Sequence, residues 1–390
     1  MEYRGFIGFD AQSVPSPCYV VDKELIRRNC RILDSVQKRS GVKILLALKG
    51  FSMFSLFDII GEYLYGVCAS SPDEARLGRE EMGREVHSYA AAFSQSDLIE
   101  FLELSDHMVF NSFSLWERFR DTARTYADRV SYGIRINPRH REAETELYDP
   151  SAPFSRLGTP VDQFPASAFS DGGIDGIEGY HFHNLCEQNS DALIRTWEAV
   201  ERQFNPLFPS AAWLNLGGGH HITRDDYDIE ALLRLLDRIQ SRYGAQLYLE
   251  PGEAIALNTG ILVTTVLDIT YNGRPLAILD TSASCHMPDV IEMPYRPHIV
   301  GSAADGVKRY TYRLGGLTCL AGDVIGDYSF DTPLEVGQKL MFTDMAHYTM
   351  VKNTTFNGIR LPSIATYDSK DSQTQIIKSF TYEDFKGRLS

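Results

Sequence analysis

Short apolar runs recur along the first two thirds of the chain. They fall at Ile44–Leu48, Tyr65–Ala69, Val86–Ala90, Met108–Phe110, Val130–Ile136, Ile177–Phe182, Trp213–Leu216 and Leu247–Leu249. Runs of this kind read as strands buried on both faces, the habit of a parallel sheet. Most of the intervals between them carry a helical period. Ser71-Pro72-Asp73-Glu74 reads as a helix start, with Ser71 as N-cap, Pro72 at the first helical position and Glu74 closing a capping box. Gly83 reads as its stop. Thr223 is placed to cap a helix whose apolar face is Ile229, Leu232, Leu233, Leu236 and Ile239. Eight strand–helix repeats between residues 44 and 249 fit an α/β fold of (β/α)8 TIM-like barrel type, which needs about 250 residues. A doubly wound open sheet is the rival. Ahead of the barrel, Cys18–Asp22 follows Pro15 and Pro17 and reads as an extended entry strand. Residues 23–40 read as an amphipathic helix with Leu25, Ile26, Ile32, Leu33 and Val36 on one side.

Beyond Asn258 the pattern changes. Ile261–Ile269, Leu276–Asp280, Lys308–Leu314 and Lys339–Phe342 read as strands, separated by turn signals such as Tyr271-Asn272-Gly273-Arg274. The expected organisation is a barrel over 23–258 and a β-rich second domain made of 1–22 and 259–390, with the N-terminal strand joining it. The polar segment Asn137–Ser155 reads as a loop over the barrel mouth. The net charge of −14 argues against nucleic acid as a partner and suits a cationic ligand. The six cysteines (Cys18, Cys30, Cys68, Cys186, Cys285 and Cys319) have no zinc spacing and read as reduced thiols. No apolar run reaches the ~18 residues of a membrane span, and the N-terminus lacks a signal-peptide pattern. A cytoplasmic protein without membrane or metal is expected.

In a barrel, reactive residues stand at the C-terminal strand ends. Strand one leads into Lys49, strand six into His181-Phe182-His183-Asn184, strand seven into Gly217-Gly218-Gly219, and strand eight into Glu250-Pro251-Gly252-Glu253. These are parts that a phosphorylated pyridine aldehyde needs. Lys49 can bind the aldehyde as a Schiff base; otherwise it snorkels to the barrel mouth. Gly217–Gly219 can offer backbone N–H groups to phosphate before a helix N-terminus; otherwise they make a tight turn. Glu250 can pair with a protonated pyridine nitrogen, or it is a surface or helix-cap carboxylate. His183 can stack on the ring, or it is a bonded core histidine. The order of lysine, histidine, glycines and glutamate on separate strand ends is what favours the cofactor, pyridoxal 5'-phosphate.

These residues give the chain a family likeness. It resembles the fold-type III pyridoxal-phosphate decarboxylases, the alanine-racemase-like group that contains ornithine and diaminopimelate decarboxylases. The motifs are Leu46-Ala47-Leu48-Lys49, Cys68-Ala69-Ser70 with Glu74, Ser155-Arg156-Leu157-Gly158, Glu250-Pro251-Gly252, Gly315-Gly316-Leu317-Thr318-Cys319, Asp344-Met345-Ala346-His347-Tyr348-Thr349 and Phe356-Asn357-Gly358. The resemblance implies a homodimer in which Cys319 reaches into the partner subunit's site as a catalytic acid, and a Tyr348 hydroxyl that binds the phosphate.

Departures from the family pattern bear on the substrate. His183-Asn184-Leu185-Cys186 replaces a His-x-Gly-Ser stretch, which removes the usual serine contact to phosphate. Where diaminopimelate decarboxylases carry arginines, this chain has Glu253 and, in Ile291-Glu292-Met293, Glu292. Asp280 lies where ornithine decarboxylases place an acid against the terminal amine. Glu253, Asp280 and Glu292 are therefore the expected substrate contacts, and a carboxylated polyamine is the expected substrate. Diaminopimelate or ornithine decarboxylation, and an inactive cofactor-binding regulator, are the alternatives.

Overall fold

The structure is a computed structural model that describes residue 6 and residues 8–143 and 145–390. It divides into two compact units, one of residues 29–255 and one of residues 1–28 with 256–390.

Strand β1 (Cys18–Asp22) belongs to the second unit. The first unit contains β2 (Lys43–Ala47), β3 (Gly66–Ala69), β4 (Glu85–Tyr89), β5 (His107–Phe110), β6 (Ser131–Asn137), β7 (Thr159–Pro160), β8 (Gly179–His181), β9 (Trp213–Asn215) and β10 (Gln246–Leu249). All but β7 form a closed ring of parallel strands in the order β2-β3-β4-β5-β6-β8-β9-β10. Pairing of β10 with β2, Tyr248 opposite Lys43, closes it. This is the (β/α)8 barrel. β7 is an outlier that pairs only with the end of β6.

The barrel interior is layered. Side chains two residues apart on a strand point to the same face. Toward the strand starts, Leu45, Val109, Trp213 and Tyr248 pack as one buried cluster. One inward step on, Trp213 gives way to Asn215 and Tyr248 to Glu250. The indole of Trp213 is stacked on His107, with ring planes 7° apart, and donates to Ser131 Oγ at 2.8 Å. Glycines make room for it. A Cβ at Gly179 would sit 2.1 Å from indole atoms, and one at Gly133 would sit 2.3 Å away. The next inward residues on those strands are His181 and Arg135. A large aromatic floor thus lies beneath a polar layer.

In the second unit, β1 is joined by β11 (Gly260–Tyr271), β12 (Pro275–Leu279), β13 (Ala303–Ala304), β14 (Tyr310–Gly315), β15 (Val324–Phe330), β16 (Lys339–Thr343), β17 (Ser363–Asp368) and β18 (Gln373–Lys378). The sheet order is β13-β15-β14-β12-β11-β1-β17-β18, with β16 also on β11. β1 runs antiparallel to β11 and parallel to β17. The long β11 serves both ends of this sheet. Its first half pairs with β1 and β16 and its second half with β12, with a bulge between Val266 and Asp268. Tyr19, Leu262, Leu279, Leu314, Tyr328 and Phe342 form the buried centre.

Local signals in the sequence were met unevenly. Ser71 Oγ accepts the Glu74 N–H at 3.1 Å as expected. The Glu74 carboxylate, however, takes the N–H of Ser70 at 2.6 Å and not that of Ser71, so the capping box is not closed. Gly83 does end that helical stretch, at φ +64°. Thr223 caps nothing: its hydroxyl donates to the Ala254 carbonyl. The helix Ile229–Tyr243 starts instead at Asp228, whose carboxylate accepts from Ala231 N at 2.9 Å. Strands β13, β15, β17 and β18 are additional to those expected. β15 contains a glycine and an aspartate, and β18 is largely exposed, so neither has an apolar signature.

Replacing Gly179 with alanine is expected to drive a methyl into a rigid, stacked indole. Overpacking of this kind costs about 1–3 kcal/mol. Thermal unfolding of the variant should show a lowered midpoint; an unchanged midpoint would mean that Trp213 can move.

Candidate active site

The sequence places Lys49 two residues past the end of β2, in the tight turn Ala47–Gly50, where the Gly50 N–H bonds to the Ala47 carbonyl at 3.0 Å. Gly50 is needed there because a Cβ would stand 3.0 Å from the Gly252 backbone. Solvent reaches the Lys49 side chain. Protein nevertheless crowds round it closely enough that desolvation, with help from Arg135, lowers the pKa of the amine; Cys68 and Glu250 pull the other way. Among the described residues the amine has neither a hydrogen bond nor an ion pair. A depressed, unpaired lysine amine is a nucleophile in waiting.

Glu250 directly follows β10, the strand beside β2. It is neither a surface carboxylate nor a helix cap, being 8% exposed. Burial pushes its pKa up, but His181 and a hydrogen bond from Asn215 outweigh that and hold it at about 2. Asn215 Nδ2 donates to Glu250 Oε1 at 2.6 Å. His181 Nε2 lies 3.2 Å from Glu250 Oε2, at ion-pair distance but not aligned as a hydrogen bond. The carboxylate is therefore ionised inside the barrel.

His183 lies two residues past His181 and is half-buried. Burial, with the charges of Lys49 and Arg135, pushes its pKa well down, so the ring is neutral. Its Nδ1 accepts the Gly218 N–H at 3.1 Å, and its carbonyl accepts from Arg135 at 2.7 Å.

The glycine run departs from expectation. The Gly217 N–H is taken by Asn215 Oδ1 at 2.9 Å and that of Gly218 by His183. Only Gly219 keeps an N–H without an acceptor among the described residues. No helix dipole follows directly, since the next helix begins at Ile229. Packing explains all three glycines: a Cβ at Gly217, Gly218 or Gly219 would come within 2.4, 2.1 and 1.9 Å of the carbonyl oxygens of Phe182, Glu250 and Leu185.

The remaining expected residues divide between the units. Glu253, in the first, opens the short helix Glu253–Ala256, and its carboxylate lies 3.1 Å from His221 Nε2. In the second unit, Asp280 spends its carboxylate on its own sheet. It accepts from Ser16 Oγ at 2.6 Å, Thr264 Oγ1 at 2.7 Å and Thr265 N at 2.8 Å. These bonds tie Asp280 into its own sheet and entry segment. Glu292 is exposed and, with Asp289, ion-paired to Lys352. Tyr348 is half-buried with φ +47°, four residues after Asp344 at φ +58°. Two non-glycine residues in left-handed backbone mark this segment as held in place by its surroundings. Cys319 is exposed on a loop organised by Asp323, which accepts from Thr318 Oγ1 at 2.7 Å and from Ser282 Oγ. The Cys319 N–H bonds to Asn357 Oδ1 at 2.8 Å, and Leu317, Leu320 and Phe356 are also exposed.

Sequence reasoning named neither Asn215 nor Arg135 as a site residue and gave His181, which stands in the strand-end run, no role. Asn215 and His181 are each the lone polar side chain of a short apolar strand, and Arg135 is set between Ile134 and Ile136 in β6; that was the available signal.

An unpaired amine of lowered pKa, an ionised buried carboxylate and a neutral imidazole together make a barrel site suited to a pyridine-aldehyde cofactor. Comparison with known proteins agrees. The family described as pyridoxal-dependent decarboxylase, C-terminal sheet domain, matches residues 18–346. The chain is 41% identical to the carboxynorspermidine/carboxyspermidine decarboxylase of Campylobacter jejuni, over 97% of this chain and 99% of that one. It is 42% identical to a carboxyaminopropylagmatine decarboxylase of Synechocystis, over 97% and 96%. A crystal structure of carboxynorspermidine decarboxylase from Campylobacter jejuni, complexed with norspermidine, superposes with a TM-score of 0.87 at 40% identity, covering 96% of this chain and all of that one. This chain belongs to the pyridoxal-dependent decarboxylase family.

Replacing Lys49 with alanine should abolish the visible absorbance of the purified protein and reduce turnover by orders of magnitude. A coloured, active variant would remove Lys49 from the site.

Proposed function

We propose that the chain decarboxylates carboxynorspermidine and carboxyspermidine to norspermidine and spermidine. The observation that carries this reading is the 41% identity with the Campylobacter jejuni enzyme along essentially the whole of both chains. Pyridoxal phosphate, when bound, supplies an aldehyde for the substrate's amine and a ring that takes up the electrons left by the departing carboxylate. Lys49 is the residue that would hold the aldehyde. Glu250 would keep the ring nitrogen protonated, and His183 would lie against the ring. Gly219, Tyr348 and the neighbouring backbone are the candidates for the phosphate.

In the reaction the bond from the α-carbon to the carboxylate breaks, CO2 leaves, and a proton takes its place. Cys319 is our candidate for delivering that proton, from the second copy in a homodimer. Its exposure, together with that of Leu317, Leu320 and Phe356, supports a surface made to be covered. We place the enzyme in the cytoplasm, where such a thiol stays reduced.

Glu253 is the acidic residue we assign to a substrate ammonium. Glu292 could serve by exchanging Lys352 for substrate. The 42% identity with the Synechocystis protein favours a second reading, carboxyaminopropylagmatine, which differs at the far end by a guanidinium. Both substrates are carboxylated chains with a cationic tail.

The test is CO2 release from carboxynorspermidine, carboxyspermidine, carboxyaminopropylagmatine, ornithine and diaminopimelate. A charge-assisted contact is worth about 1.5–3 kcal/mol. The carboxylated polyamines should therefore exceed diaminopimelate by roughly 100-fold in kcat/KM. Faster turnover of diaminopimelate would sink the substrate reading. Glu253→Arg should lose a similar factor on the polyamines; unchanged kinetics would clear Glu253 of substrate contact. For Cys319→Ala, slowed turnover is expected with the cofactor still bound, and loss of the cofactor instead would make Cys319 structural.

A further inference from the structure

We infer that His181 is a positioning residue which, with Asn215, holds the Glu250 carboxylate in the orientation and charge state in which it meets the cofactor ring. This rests on the reading of Glu250 as the partner of the ring nitrogen.

His181 ends β8 and is 2% exposed. Neither ring nitrogen has an aligned hydrogen-bond partner among the described residues. An imidazole buried that way loses its hydration without direct compensation. Such a group is kept for what it does to a neighbour. The polar atom beside it is Glu250 Oε2, 3.2 Å from Nε2. Nearby rings offer no alternative bond: Tyr89 is 5.6 Å away centre to centre and His183 6.5 Å.

The two supports of Glu250 have separate jobs. Asn215 fixes Oε1 from one side at 2.6 Å, and its own carbonyl is tied to Gly217 N. That amide cannot change charge. His181 faces Oε2 with Nε2, and burial, against the pull of Glu250, lowers its own pKa. The titratable and charged groups facing this pair are Lys49, Cys68, His87, Tyr89 and Arg135, from four other strands or strand ends, and His183 from the end of β8 itself. Among the described residues, His181 is the basic group within ion-pair distance of Glu250. His181 also rests on space that Gly179 clears one inward step below, so the Trp213 floor fixes its height.

The test uses the holoenzyme and three variants: His181→Leu, His181→Gln and Glu250→Gln. Glutamine can place an N–H near the position of Nε2; leucine cannot. Measured are the cofactor's absorbance as a function of pH, kcat and KM separately, and the thermal midpoint. His181 lowers the pKa of Glu250, so its loss should raise it. The acid limb of the spectral transition should then move to higher pH in His181→Leu by about one unit, with kcat down about tenfold and KM little changed. His181→Gln should recover most of both. A pH curve in His181→Leu that overlays the unmodified enzyme, with only the thermal midpoint lowered, would make His181 a packing residue and overturn the assignment. So would a glutamine variant as impaired as the leucine one, which also decides the matter if the leucine variant fails to fold. His181, His183 and Glu250 bring ligand-capable atoms within 4.8 Å of one another. A stoichiometric divalent cation in the holoenzyme would likewise overturn the assignment. If Glu250→Gln leaves spectrum and turnover untouched, the reading of Glu250 itself falls; a defective Glu250→Gln beside a normal His181→Leu removes only His181.

Discussion

A negative charge buried in the mouth of the barrel is the constraint from which most of the structure follows. An unsupported carboxylate there would take up a proton, because removing it from water costs several kcal/mol. Glu250 avoids that with Asn215 bonded to one oxygen and His181 beside the other. Each support comes from a different strand, β9 and β8, so the charge is held only if the ring of strands closes in register. The pairings Tyr180–Leu214 and Leu247–Leu214 set that register within one layer. A slip of one residue on any of these strands would point Asn215 or His181 out of the barrel.

The polar layer depends in turn on the layer beneath it. Trp213 and Asn215 are successive inward residues of one strand, as are Tyr248 and Glu250. Where Trp213 spreads across the barrel, the facing strands retreat to Gly133 and Gly179. Those same strands then supply Arg135 and His181 one step higher. The floor is bulky where the neighbours are small, as close packing requires, and it fixes the height of the charged groups above. Lys43, Glu85, His87 and Tyr248 close the opposite end with ion pairs and cation–π contacts. Conserving the chemistry at the top therefore means conserving the fit at the bottom.

Much of this was legible in the sequence, and the limits have physical causes. Eight apolar runs marked eight barrel strands because a strand buried on both faces has no reason to alternate. Ser71, Pro72 and Gly83 were legible because caps act within three or four residues. Thr223 misled because capping depends on where the next helix starts, and Asp228 lies closer to it. The glycines at 217–219 were read as an anion cradle. Glycine is equally needed where loops from three strand ends press together, and a sequence cannot separate the two causes. Asn215 and His181 escaped because a polar residue inside a strand acquires meaning only from its partner on another strand. β18 escaped for the opposite reason: an exposed edge strand needs no apolar face.

The same distinction between local and distant partners bears on specificity. Three acidic residues were legible as candidates for a cationic substrate, Glu253 and Asp280 ahead of Glu292. In the fold, Asp280 already serves three donors from its own sheet and its entry segment. Its bonds would have to be surrendered to bind an amine, so a substrate would gain little from it. Glu292 shares Lys352 with Asp289, an exchangeable partnership at an exposed position, where ion pairs contribute roughly 0–1 kcal/mol. Glu253 is different. It follows Glu250 by three residues, in a segment anchored where Gly252 packs against Ala47 and Gly50. Its neighbour is a histidine, His221, with Nε2 at 3.1 Å from the carboxylate. On the proposed reading, selectivity against a second carboxylate therefore rests on one partly enclosed glutamate. Adding acidic residues on the sheet would do less for it than keeping Glu253 in place.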